Sequence, residues 1–155
     1  MANQQTIAQC DSARQFYFLG WQFHEAYTYT KEKYPNMPDL ADVKLFLLCR
    51  ALEEHMKGWL VLKGLTEKKL KDRNYGHQLS TIALKVYELY GDAEFSHKFL
   101  PLISYLNDAY SQKDFEYPVV QGQISSLRDL EALEKLVVHC QKRLDPMIEQ
   151  ARRQL

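Results

Sequence analysis

"LFLLCRALEEHMKGWLVLKGL", residues 45–65, decides the fold of this chain. Leu45, Leu48, Leu52, Met56 and Trp59 recur at helical spacing on one side, and Val43, Leu47, Ala51 and Val61 on another. A helix that is apolar over so much of its circumference has to be surrounded by others. The segment from about 39 to 63 is therefore expected to be the central helix of an all-helical domain. Inside it Glu53 and Lys57 stand one turn apart, where such a pair contributes roughly 0.2–0.5 kcal/mol on a helix surface.

The pattern continues on both sides. Upstream, residues 4–33 place Ala13, Phe16, Leu19, Phe23 and Ala26 on one face, and the stretch from Phe16 to Tyr34 holds eight aromatics. That is more than one narrow stripe requires, so this first helix should pack on more than one neighbour. "YPNMPD", residues 34–39, stops it, and Asp39 is placed to cap the central helix. Downstream, Gly64 opens a basic loop, and Leu79, Ile82, Ala83, Val86 and Leu89 mark a shorter helix ended by Gly91. Asp92 can cap the next segment. Phe95, Phe99, Leu102, Leu106 and Tyr110 keep the period, with Pro101 either starting a new helix or bending one. "SQKDFEYPVVQGQI", residues 111–124, is the longest unpatterned stretch, a length often functional in a loop. Ser125 and Ser126 then offer caps for a last helix striped by Leu127, Leu130, Leu133, Val137, Cys140, Leu144 and Ile148, with Pro146 expected to bend its end. These signals predict an all-α, up-and-down bundle of about five helices in a single domain, residues 1–155.

Composition narrows the function. The 155 residues, 46% hydrophobic, suffice for a core without crosslinks. Cys10, Cys49 and Cys140 are odd in number and far apart, which argues against a disulfide framework or a thiolate zinc site and for a reducing, cytoplasmic setting. The opening "MANQQTIAQC" has no basic region followed by an apolar one, and "LFLLC" is too short to span a bilayer, so no membrane role is expected. Twenty basic and twenty acidic residues cancel, leaving only a local patch to attract nucleic acid. Residues 63–73 form one, with Lys63, Lys68, Lys69, Lys71 and Arg73 against Glu67 and Asp72. It reads either as a solvated loop face or as an anion site beside the helix start near His77.

Catalytic signatures are sparse. No G-x-S-x-G, Walker or G-x-G-x-x-G motif occurs, and Cys49 and Cys140 lie in apolar stripes. Glu94 and His97 make one Glu-x-x-His, whereas a di-metal bundle needs two with further glutamates, so no metal or other cofactor is expected.

The order of these features, an E-x-x-x-K step in an apolar helix ending at a glycine, a basic loop, "GHQL" opening the next helix, and a later helix running into "DFEYP", resembles the HEPN superfamily. These are helical domains found beside minimal nucleotidyltransferases and in toxin–antitoxin and RNA-processing systems. The resemblance covers roughly residues 40–120. It aligns His77 with the family's histidine at the start of the third helix, and Tyr117–Pro118 with a Tyr-Pro after the fourth, where Glu116 stands in place of a frequent arginine. It implies a non-catalytic module, homodimeric, binding a nucleotide, RNA or a protein such as a nucleotidyltransferase. Candidate ligand residues are Glu53, Lys57, Lys69, Lys71, Arg73, His77 and Tyr117.

The resemblance implies that catalytic members are metal-independent ribonucleases with an arginine and a histidine separated by four to six intervening residues. Arg73 and His77 are one residue short of that spacing. "RALEEH" matches from Arg50 to His55, yet it lies mid-helix and its two side chains point about 140° apart. The ribonuclease alternative thus rests on Arg50, His55 and His77. A second alternative is a purely structural helical assembly protein.

Overall fold

In the computed structural model, which describes residues 6–112 and 127–155, every residue from Ala51 to Leu62 is buried. They belong to α2 (Ala41–Leu62), which occupies the centre of the fold as its pattern predicts. α1 (Ile7–Lys33) and α6 (Leu127–Arg153) pack on it and on each other, α4 (Leu79–Tyr90) covers another side, and α5 (Leu100–Ser111) packs on α4. A one-turn α3 (Glu67–Leu70) sits in the basic loop, capped by the Thr66 hydroxyl, which accepts from the Lys69 amide. The architecture among the described residues is all-α, with no strand, and no helix long and apolar enough to cross a membrane.

Local chemistry accounts for most boundaries. Thr6 and Gln9 form a reciprocal capping box at the start of α1. Gly91, at φ +79°, ends α4 in a backbone conformation that side-chain-bearing residues rarely adopt. Pro101 falls in the first turn of α5, where its missing N–H has no intrahelical acceptor to lose, so a new helix starts there instead of an old one bending. Asp39 does not cap α2. It lies in a 3-10 turn, Pro38–Leu40, and Leu40 takes the cap position without a side-chain bond. Asp92 accepts from the backbone and ring of His97 in the connection to α5. α6 runs through Pro146.

The buried side of α1 differs from the expected one. Cys10, Ala13, Gly20 and Tyr27 are buried, with Tyr17 and His24 half-buried between them, a regular alternation of three and four. Leu19 and Ala26 are exposed, and Phe16 and Phe23 occupy the flanks. Val43, placed on the apolar circumference of α2, is also exposed. The reason is distance of approach. Gly20 of α1 meets Ala51 and His55 of α2, while Gly58 of α2 meets the Ala13 carbonyl and the Leu144 side chain of α6. Small residues bring the helix axes together, and the large aromatics are displaced to either side. Polar ties seal the outer seam: Arg14 binds Asp145 and Glu149, Arg152 binds Asp11, and the Tyr27 hydroxyl donates to Glu134.

A Cβ at position 20 would lie 2.7 Å from two atoms of the His55 ring and 3.0 Å from the Ala51 carbonyl oxygen. Gly20→Ala gains about 1 kcal/mol in helix propensity, but overpacking of this kind costs about 1–3 kcal/mol. Urea unfolding should find the variant destabilised by about 1 kcal/mol. The loss should shrink when His55→Ala is added, because the two sites share the same space. A stabilised Gly20→Ala protein would contradict this packing.

Candidate functional site: a charged cavity on the central helix

Glu53 lies midway along α2 and is completely buried. A carboxylate in that position is costly unless every lone pair finds a donor. Lys57 Nζ donates to Oε1 at 2.5 Å. Arg50 Nη1 donates to Oε2 at 3.2 Å and His77 Nδ1 donates to the same oxygen at 3.1 Å. The Tyr110 hydroxyl also donates to Oε2. Burial alone would raise the carboxyl's pKa, but the His77 hydrogen bond, the Lys57 and Arg50 charges and the Lys57 hydrogen bond outweigh it and hold the pKa down at about 2.

Three parts of the chain deliver these donors. Residues 50, 53 and 57 share one face of α2 by the three-and-four spacing. His77 arrives on a loop shaped by Asp72, whose carboxylate accepts from the amides of Asn74 and Tyr75 and whose carbonyl accepts from Gly76. Tyr110 comes from the last turn of α5. That helix is registered against α4 by Asn107, whose side chain accepts from the Ser80 amide where Gln78 gives α4 no side-chain cap. The Tyr110 and His77 rings meet edge to face at 5.8 Å.

A carboxylate can only accept, so His77 must present Nδ1–H to Glu53, which in the neutral imidazole leaves the lone pair on Nε2. Arg50 Nη1 stands 3.4 Å from His77 Nδ1 because both donate to one oxygen. Arg50 Nη2 binds Glu54 Oε1 at 3.0 Å, and its guanidinium lies 5.0 Å from the centre of the Phe23 ring. Glu54 is also buried. Burial and the neighbouring Glu53 raise its pKa, against the lowering effect of Arg50 and Lys57.

In front of this cluster opens a cavity of about 420 Å³. Its floor is Arg50, Glu53, Glu54 and Lys57 of α2, one wall is Gln15, Phe16 and Leu19 of α1, and Glu67, Lys71, Gly76 and His77 complete the rim. The Ser12 hydroxyl donates to Glu67 at 2.5 Å and fastens α3 to α1 across one edge. Fixed cations and carboxylates balance in the lining, so the site suits a ligand carrying both donors and acceptors more than a bare anion.

The sequence candidates divide accordingly. Glu53, Lys57, Lys71 and His77 gather at the cavity, and Arg50 joins them. Lys69 and Arg73 are exposed and do not line it. Tyr117, with Glu116 and Pro118, lies outside the described residues. His55 is fully buried elsewhere, against Gly20 and with its ring centre 5.8 Å from that of Tyr17. Among the described residues neither of its nitrogens has a hydrogen-bond partner, and burial, with a smaller contribution from His24, pushes its pKa down to about 3. Arg50 and His55 therefore look to different neighbours, as their separation around the helix implies. Glu94 pairs with Arg143 and His97 with Asp92, so they do not share a site. Among the described residues no group of three or more His, Cys, Asp or Glu side chains is arranged to hold a metal ion. Burial pushes the Cys49 and Cys140 thiols well above the usual range.

Two site residues escaped the sequence pattern. Tyr110 looked like one more apolar-stripe position, and nothing local marks its hydroxyl as a partner for a residue 57 positions away. Glu54 was legible in principle, as a second acidic residue within a helix expected to be buried all round. No protein-family model, curated protein or solved structure matches the chain.

Removing Glu53 would strand its buried cations. Glu53→Leu should cost about 3–5 kcal/mol in urea unfolding, and an effect within 0.5 kcal/mol, the range of an ordinary surface substitution, would refute the central role given to this carboxylate. Acid should act in two windows. His55 is neutral in the fold but titrates near 6.5 when unfolded, so its contribution is present above that pH and declines as pH falls from 6.5 towards about 3. Glu53 contributes stability above about 4.5 that is lost as pH falls through about 2. His55→Leu should abolish the loss between pH 6.5 and 4.5 and reduce, without removing, the loss below 4.5, where Glu53 still titrates. An unchanged stability–pH profile would count against the burial of a neutral imidazole.

Proposed function

We propose that this chain is a non-catalytic, HEPN-like binding module whose charged cavity takes one nucleotide, free or as a unit of RNA. The observation that carries the reading is convergence: Glu53 and Lys57 of α2, with Lys71 and His77 of the loop that follows it, line one cavity of about 420 Å³ against α1. That volume is within the range of small-ligand sites. Lys71 and His77 stand at its open rim, where a phosphate would meet the Lys71 ammonium and, when the His77 ring is doubly protonated, its Nε2–H, and the α1 wall of Phe16 and Leu19 offers an apolar surface to a base. The family resemblance extends the proposal to a homodimer and to a nucleotidyltransferase as the protein partner.

One observation favours the ribonuclease as a second reading. Glu53 fixes the tautomer of His77 so that Nε2 can accept a proton, which is how a general base is oriented, and Arg50 stands alongside. Against it, Arg50 is already bound to Glu53 and Glu54, which leaves little of its charge for a developing phosphorane.

Nucleoside monophosphates and short single-stranded RNAs, titrated while thermal unfolding is followed, test the proposal. A ligand at one hundred times its dissociation constant should stabilise the protein by about 2.7 kcal/mol, and His77→Ala should weaken that effect. If none of them shifts the transition, the nucleotide reading fails. RNA cleavage that persists in chelator and disappears in His77→Ala would replace it with the ribonuclease.

A further inference from the structure

The unspent hydrogen-bonding capacity of the cavity floor points to the identity of the base. Of the four charged side chains there, Glu53 is fully buried and already accepts from four donors, and Arg50 is committed to Glu53 and Glu54. Two retain capacity. Glu54 has a protein partner, Arg50, on Oε1 alone among the described residues, and Lys57 gives one of its three N–H groups to Glu53. Positions 54 and 57 share a helix face, both side chains line the cavity, and both residues are buried. Hydrogen bonds made there face little competition from water, and an unmatched group there is correspondingly expensive.

A carboxylate beside an ammonium is complementary to an edge that offers adjacent donors next to an acceptor. The Watson–Crick edge of guanine has that order: N2–H and N1–H towards the carboxylate, and O6 towards the ammonium. Adenine presents a single donor group, N6–H₂, beside the N1 acceptor. Uracil flanks its one N–H with two carbonyls, of which at least one would face the carboxylate. Phe16, on the α1 wall, provides the apolar face against which a purine plane can lie.

We infer that the cavity selects guanine, with Glu54 reading N1–H and N2–H and Lys57 reading O6. The inference rests on the nucleotide-binding reading above and adds to it the base and the residues that discriminate. The guanine comes either from a free nucleotide or from a guanosine within single-stranded RNA.

Calorimetric titration of the intact protein with GMP, IMP and AMP separates the possibilities without any substitution. IMP keeps N1–H and O6 but lacks the N2 amine. GMP should bind at least about 10-fold more tightly than AMP, whose donor and acceptor stand in the reverse order, and more tightly than IMP, which lacks only the N2 donor. Glu54→Gln, which exchanges one acceptor for a donor, should bring the GMP to AMP ratio close to one while its unliganded unfolding temperature confirms that it is folded. In parallel, UUGUU and UUAUU show whether the same preference operates within RNA; guanine-selective binding in either arm upholds the inference and identifies the source. AMP binding as tightly as GMP, or a guanine preference that survives in Glu54→Gln, would overturn it while leaving nucleotide binding in place. If no nucleotide or RNA binds, both readings fall together.

Discussion

A carboxylate at the centre of the most enclosed helix is the constraint around which this fold is arranged. Glu53 cannot be satisfied by solvent, and its own helix supplies only Arg50 and Lys57. The remaining donors come from the loop before α4 and from the end of α5. The position of His77 on its turn and the register of α5 against α4 thus answer to one buried charge. Hydrophobic packing brings the helices together, and this polar cluster specifies how α4 and α5 are set relative to α2.

The cavity arises from the same arrangement. α1 lies close on α2 where Ala13 and Gly20 face it, but Phe16 and Leu19, to one side of that line, stand over the charged face of α2. α3 and the Asp72 turn close the remaining sides. Groups that would be too expensive to bury against hydrocarbon are kept at the wall of a hollow, paired with one another and held short of full saturation at Glu54 and Lys57. Preorganisation of this kind lowers the cost of ordering side chains when a ligand arrives.

Periodicity made the central position of α2 legible, because a helix apolar around most of its circumference has few other places to go. Gly91 and the first-turn role available to Pro101 likewise come from local chemistry. The face of α1 did not, since counting large apolar residues favours Phe16 and Leu19, whereas close approach is decided by the small ones at 13 and 20. At the site, Glu53, Lys57 and His77 stand out only through the HEPN resemblance, since an E-x-x-x-K step one turn apart is commonplace on helices. The contact of Arg50 with His77, and of Tyr110 with Glu53, joins positions 27 and 57 residues apart and has no trace in local pattern.

The meeting of Gly20 with His55 also bears on how this chain can change over generations. The two residues occupy one small volume between two helices, so substitution at either is judged against the occupant of the other. A larger residue at 20 requires a smaller one at 55, whereas the glycine alone leaves room for the ring. Positions 20 and 55 should drift as a pair, and the sequence in hand records one setting of that compensation.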